Sequence, residues 1–323
     1  MDDKHDFEAL RQMHTVLVLH FLEGETQADI AKLLKLSKSK VNRLIAEGRK
    51  MGMVKITIET PFQRLSKVEG ALVESVPLQS AVVSPTIQGN PEMTLREVSV
   101  AAGVHLLENL KDGDVIAITG GKAVSEVVDN LRPHRSLDVK VVPLTGGVQG
   151  KFFTDVNNLV SKLAEKLGGQ ALVVHAPLFA ESREQRDMLM NMSSIREVFE
   201  LSRRATVALV GVGSILATGS SYYDLRPLAA KDREAFVTAG AVAEFMAHLI
   251  KEDGHLADYE LNRRLVAVGP DEISSCPRII AVASGEPKVR PIMAALNGRY
   301  ITSLVTDEAT AHAVLDLKKE SMT

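Results

Sequence analysis

Residues 115–123 read Val-Ile-Ala-Ile-Thr-Gly-Gly-Lys-Ala, a short apolar run that stops on two glycines and opens into a helical stretch. The same order recurs downstream. Val139-Lys-Val-Val142 leads to Thr145-Gly146-Gly147, Val207-Ala-Leu-Val210 to Gly211 and Gly213, and Ile279-Ile-Ala-Val282 to Ser284-Gly285. Apolar runs alternating with helical stretches are the pattern of a parallel sheet wrapped by crossover helices. No low-complexity tract interrupts the pattern, so residues 79–323 are expected to form one α/β domain with a Rossmann-like parallel sheet. Open α/β sheets bind ligands at the carboxyl ends of their strands. Glycine there lets backbone N–H groups approach an anion, and the following helix N-terminus adds a favourable dipole. The repeated glycine turns predict a site for a phosphate or a polyhydroxylated molecule.

Composition agrees with this architecture and removes other classes. Of 323 residues, 45% are apolar but only 4% are aromatic and none is Trp, so the core is built from Ala, Val, Leu and Ile. No G-x-G-x-x-G follows the first strand, and Gly211-Val-Gly213-Ser-Ile-Leu lacks the third glycine, which argues against a dinucleotide site. Walker A, G-x-S-x-G and H-E-x-x-H motifs are absent, and the nine histidines lack ligand spacing. No cofactor, metal or catalytic residue is expected. The single cysteine, Cys276, cannot form an intramolecular disulfide. With an acidic N-terminus and no apolar run near 18 residues, the expectation is a cytoplasmic protein that does not enter a membrane.

The formal charge of −3 hides an asymmetry. Between Lys32 and Lys55 lie eight basic residues opposed only by Glu47. This block falls on a recognisable order. Leu10, Met13, Leu17 and Phe21 space a first helix, and Gly24 ends it. Thr26-Gln-Ala-Asp29 has capping-box spacing for a second helix, and Ser37 caps a third that carries Val41, Leu44 and Ile45 on one face. Two short helices joined by a tight turn, the second basic, make a helix-turn-helix. Met53–Glu59 alternates as a wing strand. Residues 1–60 are thus expected to be a winged helix-turn-helix that binds double-stranded operator DNA. Ser37, Lys38, Ser39, Lys40, Asn42 and Arg43 are its candidates for base edges and phosphates, with Thr26 and Gln27 contacting phosphate. Phe62, Leu65, Val68, Leu72 and Val76 space a linker helix within 61–78, whose apolar stripe either docks on the body or pairs with a second chain.

Thr26-Gln-Ala-Asp-Ile-Ala31, Val41-Asn-Arg-Leu44, Lys111-Asp-Gly-Asp-Val-Ile116, Val142-Pro-Leu-Thr-Gly-Gly147, Val207-Ala-Leu-Val-Gly-Val-Gly213, Ala239-Gly-Ala-Val242, Leu261-Asn-Arg-Arg264, Pro277-Arg-Ile-Ile-Ala-Val-Ala283 and Leu304-Val-Thr-Asp-Glu-Ala-Thr310 run in this order along nearly the whole chain. In that order they resemble the SorC family of sugar-responsive bacterial transcriptional regulators. The resemblance implies a DNA-binding head joined to an effector domain with the fold of sugar-phosphate isomerases, glucosamine-phosphate deaminases and CoA transferases. It implies a homodimer or homotetramer that responds to a sugar phosphate or polyol effector and represses a catabolic operon. Carried over by position, the effector site would comprise Gly120, Gly121, Lys122, Ala123, Thr145, Gly146, Gly147, Asn157, Pro177, Gly213, Glu244, Asn262, Lys288 and Asp307.

Lys122 departs from the family, many members of which place a small hydroxyl residue near this position. It either pairs with an effector phosphate, condenses with a carbonyl or points to solvent. Lys288 favours a phosphate contact. Glu244 and Asp307 either accept sugar hydroxyls or serve the scaffold, and His175 is expected to be packed. The rival function is a sugar-phosphate isomerase or deaminase with a vestigial head, in which Glu244 or Asp307 acts with Lys122. The basic helix argues against that rival.

Overall fold

A computed structural model describes residues 3–54, 65–148, 155–215 and 230–321 of the chain. Two compact units divide it at Pro61 and Phe62.

The first unit contains α1 (Asp3–Phe21), α2 (Gln27–Leu33) and α3 (Lys38–Lys50). Met13, Val16 and Leu17 of α1 meet Ile30, Val41, Leu44 and Ile45 in its core. Leu10, expected on that stripe, is 40% exposed; Val16 takes the inward position instead. A Cβ on Gly48 would lie 2.6 Å from the Leu17 side chain, so glycine sets how closely α1 and α3 pack. The caps form as the sequence predicts in position, and in one case differently in chemistry. Ser37 Oγ accepts from Lys40 N at 3.2 Å and Thr26 Oγ1 from Asp29 N at 3.3 Å. The Asp29 carboxylate accepts from the Thr26 hydroxyl at 2.6 Å instead of reaching a backbone N–H. Of the predicted wing, residues 55–59 lie outside the described residues.

The second unit begins with α4 (Ser66–Ser75) and β1 (Ser80–Ser84), followed by α5 (Pro91–Glu108), β2 (Val115–Ile118), α6 (Lys122–Asn130) and β3 (Lys140–Pro143). Next come α7 (Val156–Leu167), β4 (Gln170–Ala171), α8 (Arg183–Asn191), α9 (Ser193–Arg203) and β5 (Val207–Ser214). The chain continues through α10 (Ala230–Thr238), β6 (Ala241–Phe245), β7 (His248–Lys251) and α11 (Glu260–Arg263), and closes with β8 (Ile279–Val282), α12 (Val289–Asn297), β9 (Ser303–Asp307) and α13 (Glu308–Glu320). Seven strands pair in parallel in the order β1-β9-β8-β5-β2-β3-β4. The hairpin β6–β7 adds antiparallel to the end of β5, with Gly213 opposite Glu244.

Side-chain alternation along the strands builds a core on each face. Ile116, Ile118, Leu209 and Ile280 pack under α5, α6 and α7. Ala117, Ala208, Val210 and Ala281 face α4, α9, α12 and α13. The stripe of α4 docks on this second core through Leu72 and Val76, with Leu65 and Val68 packed against it, the first of the two placements expected for the linker helix. At the amino ends of the strands, buried Asp114 accepts from Lys111 N at 2.8 Å and Thr206 Oγ1 at 2.7 Å and pairs with Arg278 at 3.3 Å, locking β2, β5 and β8 together.

Candidate functional site

From β2 the chain winds toward β3 and β4, whereas from β5 it winds toward β8 and β9, so β2 and β5 flank a topological switch point. Open sheets place their ligand crevice there, outside the carboxyl ends of the strands. A cleft of about 290 Å³ lies at this position. Its floor is Thr119–Gly121 after β2, Gly211–Ser214 of β5 and Val282–Ser284 at the end of β8, and Glu244, Pro287 and Lys288 line it as well. The first turn of α5 contributes Glu92 and Leu95.

Two local features keep the cleft open to a ligand. Gly121 holds φ 119° and ψ 157° as the N-cap of α6, a conformation that L side chains rarely adopt, and no side chain caps the helix. The first N–H groups of α6 therefore remain for a guest. A Cβ on Gly213 would fall 2.2 Å from Glu244 Oε2, so this glycine makes room for the carboxylate across the strand pair. Glu244 Oε1 accepts from Ala247 N at 2.6 Å. That N–H is delivered by a two-residue turn, Met246-Ala247, in which both residues have positive φ (52° and 65°).

The charges in the cleft are tuned by burial. Desolvation pushes the Glu244 carboxyl above the usual carboxylate range, against the Ala247 N–H and the nearby Lys288 ammonium, which favour its charge. Desolvation likewise lowers the Lys288 ammonium, opposed by Glu244. Lys288 stands at the N-terminus of α12 behind Gly285, whose N–H donates to Asp307 Oδ1 at 3.0 Å and Thr310 Oγ1 at 2.7 Å. Lys122 lies toward the solvent side, half exposed, with its Nζ 3.8 Å from Glu92 Oε1.

Gly120, Gly121, Lys122, Ala123, Gly213, Glu244 and Lys288 thus come together. The other expected residues do not line the described cleft, and they make contacts elsewhere in the scaffold. Thr145 bridges to Ala267, Gly147 to Pro177, and a Cβ on Gly146 would meet the Pro177 carbonyl at 2.6 Å. Asn157 ties both backbone groups of Val174, at 2.8 and 3.1 Å. Asn262 spans Leu249 and Ala257. Asp307 caps α13 and accepts from Thr86 Oγ1 at 2.7 Å, bracing the Gly285 loop from behind. His175, expected to be packed, is exposed. Sequence reasoning missed Glu92, Thr119, Ser214 and Ser284; the glycine turns flanking the last three were the available signal.

In the head, Ser37, Lys38, Ser39, Lys40, Asn42 and Arg43 are all exposed on one side of α3, while Val41, Leu44 and Ile45 are buried. Thr26 is exposed and Gln27 half-buried. Ser37 and Ser39 hydroxyls lie 3.1 Å apart, and Arg43 makes an exposed 3.8 Å contact with Glu47. Arg49 instead stacks over Phe21 at 5.2 Å.

The family described as "Putative sugar-binding domain" matches residues 60–316, and that of sigma-70 region 4 matches residues 11–51. The erythritol catabolism regulatory protein EryD of Brucella abortus is 30% identical over 98% of both chains. The chain belongs to the SorC family of transcriptional regulators. The transcriptional regulator LsrR of Klebsiella pneumoniae is 30% identical over 92% of this chain and 90% of that protein. The full-length sorbitol operon regulator SorC from Klebsiella pneumoniae superposes with a TM-score of 0.72 at 25% identity, covering 95% of this chain and 99% of that one. Relatives that match along the whole chain are regulators, so this SorC-family member is a transcriptional regulator, and the isomerase or deaminase alternative is not favoured.

Proposed function

We propose that this regulator represses a carbohydrate-catabolism operon and that a sugar phosphate or phosphorylated polyol in the cleft at the β2/β5 switch point releases it from DNA. One observation carries the reading: the uncapped N-terminus of α6 and Lys288 at the start of α12 converge on a cleft whose floor is glycine backbone. Backbone N–H groups, helix dipoles and an ammonium group recognise a phosphate. Glu244 and Ser214, set deeper by the β5–β6 pairing, accept and donate hydrogen bonds to hydroxyls. Lys122 contacts the phosphate from the mouth, exchanging its Glu92 partner for the ligand. The head reads two half-sites related by the two-fold symmetry of a homodimer or homotetramer in the cytoplasm, which makes the operator near-palindromic.

Thermal denaturation against a panel of sugar phosphates and their unphosphorylated parents tests this. A ligand at 100 times its dissociation constant adds about 2.7 kcal/mol. One phosphorylated class is expected to raise the midpoint, and Lys288→Ala to remove that rise more than the response to the parent sugar. No response to any phosphorylated sugar or polyol contradicts the reading.

A further inference from the structure

Helix α5 carries apolar residues on both sides. Toward the sheet it buries Val98, Ala102 and Leu106, and away from it Met93, Val100 and Val104 are 40%, 41% and 52% exposed. A surface helix ordinarily sets polar residues outward, whereas here Val100 and Val104 hold the middle of the outward face. The outward face is also ordered by charge. Arg96, Val100, Val104 and Glu108 stand four residues apart in one ridge, about 18 Å long at 1.5 Å per residue. Arg96 and Glu108 are exposed, and neither has an ion pair among the described residues.

This ridge is complementary to itself. Two copies laid antiparallel about a two-fold axis near Ala102 bring Val100 of one against Val104 of the other, and Arg96 of one against Glu108 of the other, each pair twice. A parallel arrangement would set Arg96 against Arg96 and Glu108 against Glu108. Residues four apart also form the ridges that interdigitate in the commonest helix packing.

We propose that the outward face of α5 is the core of a two-fold contact between two copies of this chain. Such an isologous patch needs each residue to find its partner across the axis, which the order basic, apolar, apolar, acidic satisfies. The contact stands whatever the cleft binds. The first turn of the same helix lines the cleft through Glu92 and Leu95, so the contact lies on an element that a cleft ligand touches.

Sedimentation equilibrium of the full chain tests the contact through charge exchange. Arg96→Glu and Glu108→Arg each create two like-charge pairs and are expected to weaken association by about tenfold or more. The double variant R96E/E108R restores opposite pairs and is expected to associate within about threefold of the parent. Circular dichroism of each variant checks the fold, and these exposed positions should leave it unchanged. A parent chain that is monomeric throughout, single variants that associate like the parent, or a double variant as weak as the singles would each overturn the proposal.

Discussion

At the scale of single residues, the site is shaped as much by what is missing as by what is present. Gly213 has no side chain where a Cβ would strike Glu244, and the Glu244 carboxylate occupies that space. The turn that holds Glu244 also buries His248, whose Nδ1 lies 2.8 Å from the Met246 carbonyl. Burial pushes the His248 pKa down from 6.5 to about 4. In the unfolded chain the imidazole keeps its ordinary value, so below pH 6.5 the unfolded state takes up a proton that the native state refuses. Stability is therefore full above pH 6.5 and is lost as pH falls toward 4, by on the order of 3 kcal/mol. Glu244, with its carboxyl pushed up, slopes the other way, its contribution fading as pH rises through its folded value. Comparing urea denaturation of His248→Gln with the parent between pH 4 and 7 isolates the histidine. A flatter acid limb is expected in the variant, and identical limbs would contradict the assignment.

At the scale of elements, α3 carries the prediction for DNA. Its inner face packs in the head core, and its outer face holds basic and small polar groups that are exposed. Replacing Lys40 and Arg43 by Ala is expected to weaken operator binding and to reduce the slope of log affinity against log salt by about 0.9 per lost phosphate contact. Fluorescence anisotropy on an operator selected from fragmented genomic DNA measures both; unchanged affinity and slope would remove α3 from the interface. This element was legible in the sequence because its signals are local: Ser37 caps Lys40 three residues on, and Val41, Leu44 and Ile45 repeat at helical spacing. Four of the seven parallel strands, β2, β3, β5 and β8, were legible for the same reason. The hairpin β6–β7 was not, because Met246-Ala247 lacks the Gly or Asn that ordinarily marks a turn with positive φ. Nor could sequence show which glycine turns share a cleft. Thr145, Gly146 and Gly147 follow β3, on the far side of β2 from β5, and their partners Ala267, Pro177 and Ala176 come from distant segments.

At the scale of the whole molecule, the net charge of −3 is a sum over two unlike units. A block with eight basic residues falls within and just beyond α2 and α3, and the rest of the chain is acidic on balance. The positive charge suited to DNA is thereby concentrated in the head, while the sheet's switch point supplies the cleft. A regulator of this kind works only when the effector binds the DNA-competent and DNA-incompetent arrangements with different affinity. Coupling of about 1–3 kcal/mol changes operator affinity by roughly 5- to 150-fold, and the operator changes effector affinity by the same factor. The most direct test is operator affinity, measured by fluorescence anisotropy at fixed salt, with and without a sugar phosphate that raises the thermal midpoint. The account predicts operator binding weaker by at least about fivefold when the cleft is filled; a ligand that stabilises the protein yet leaves operator affinity unchanged would contradict it.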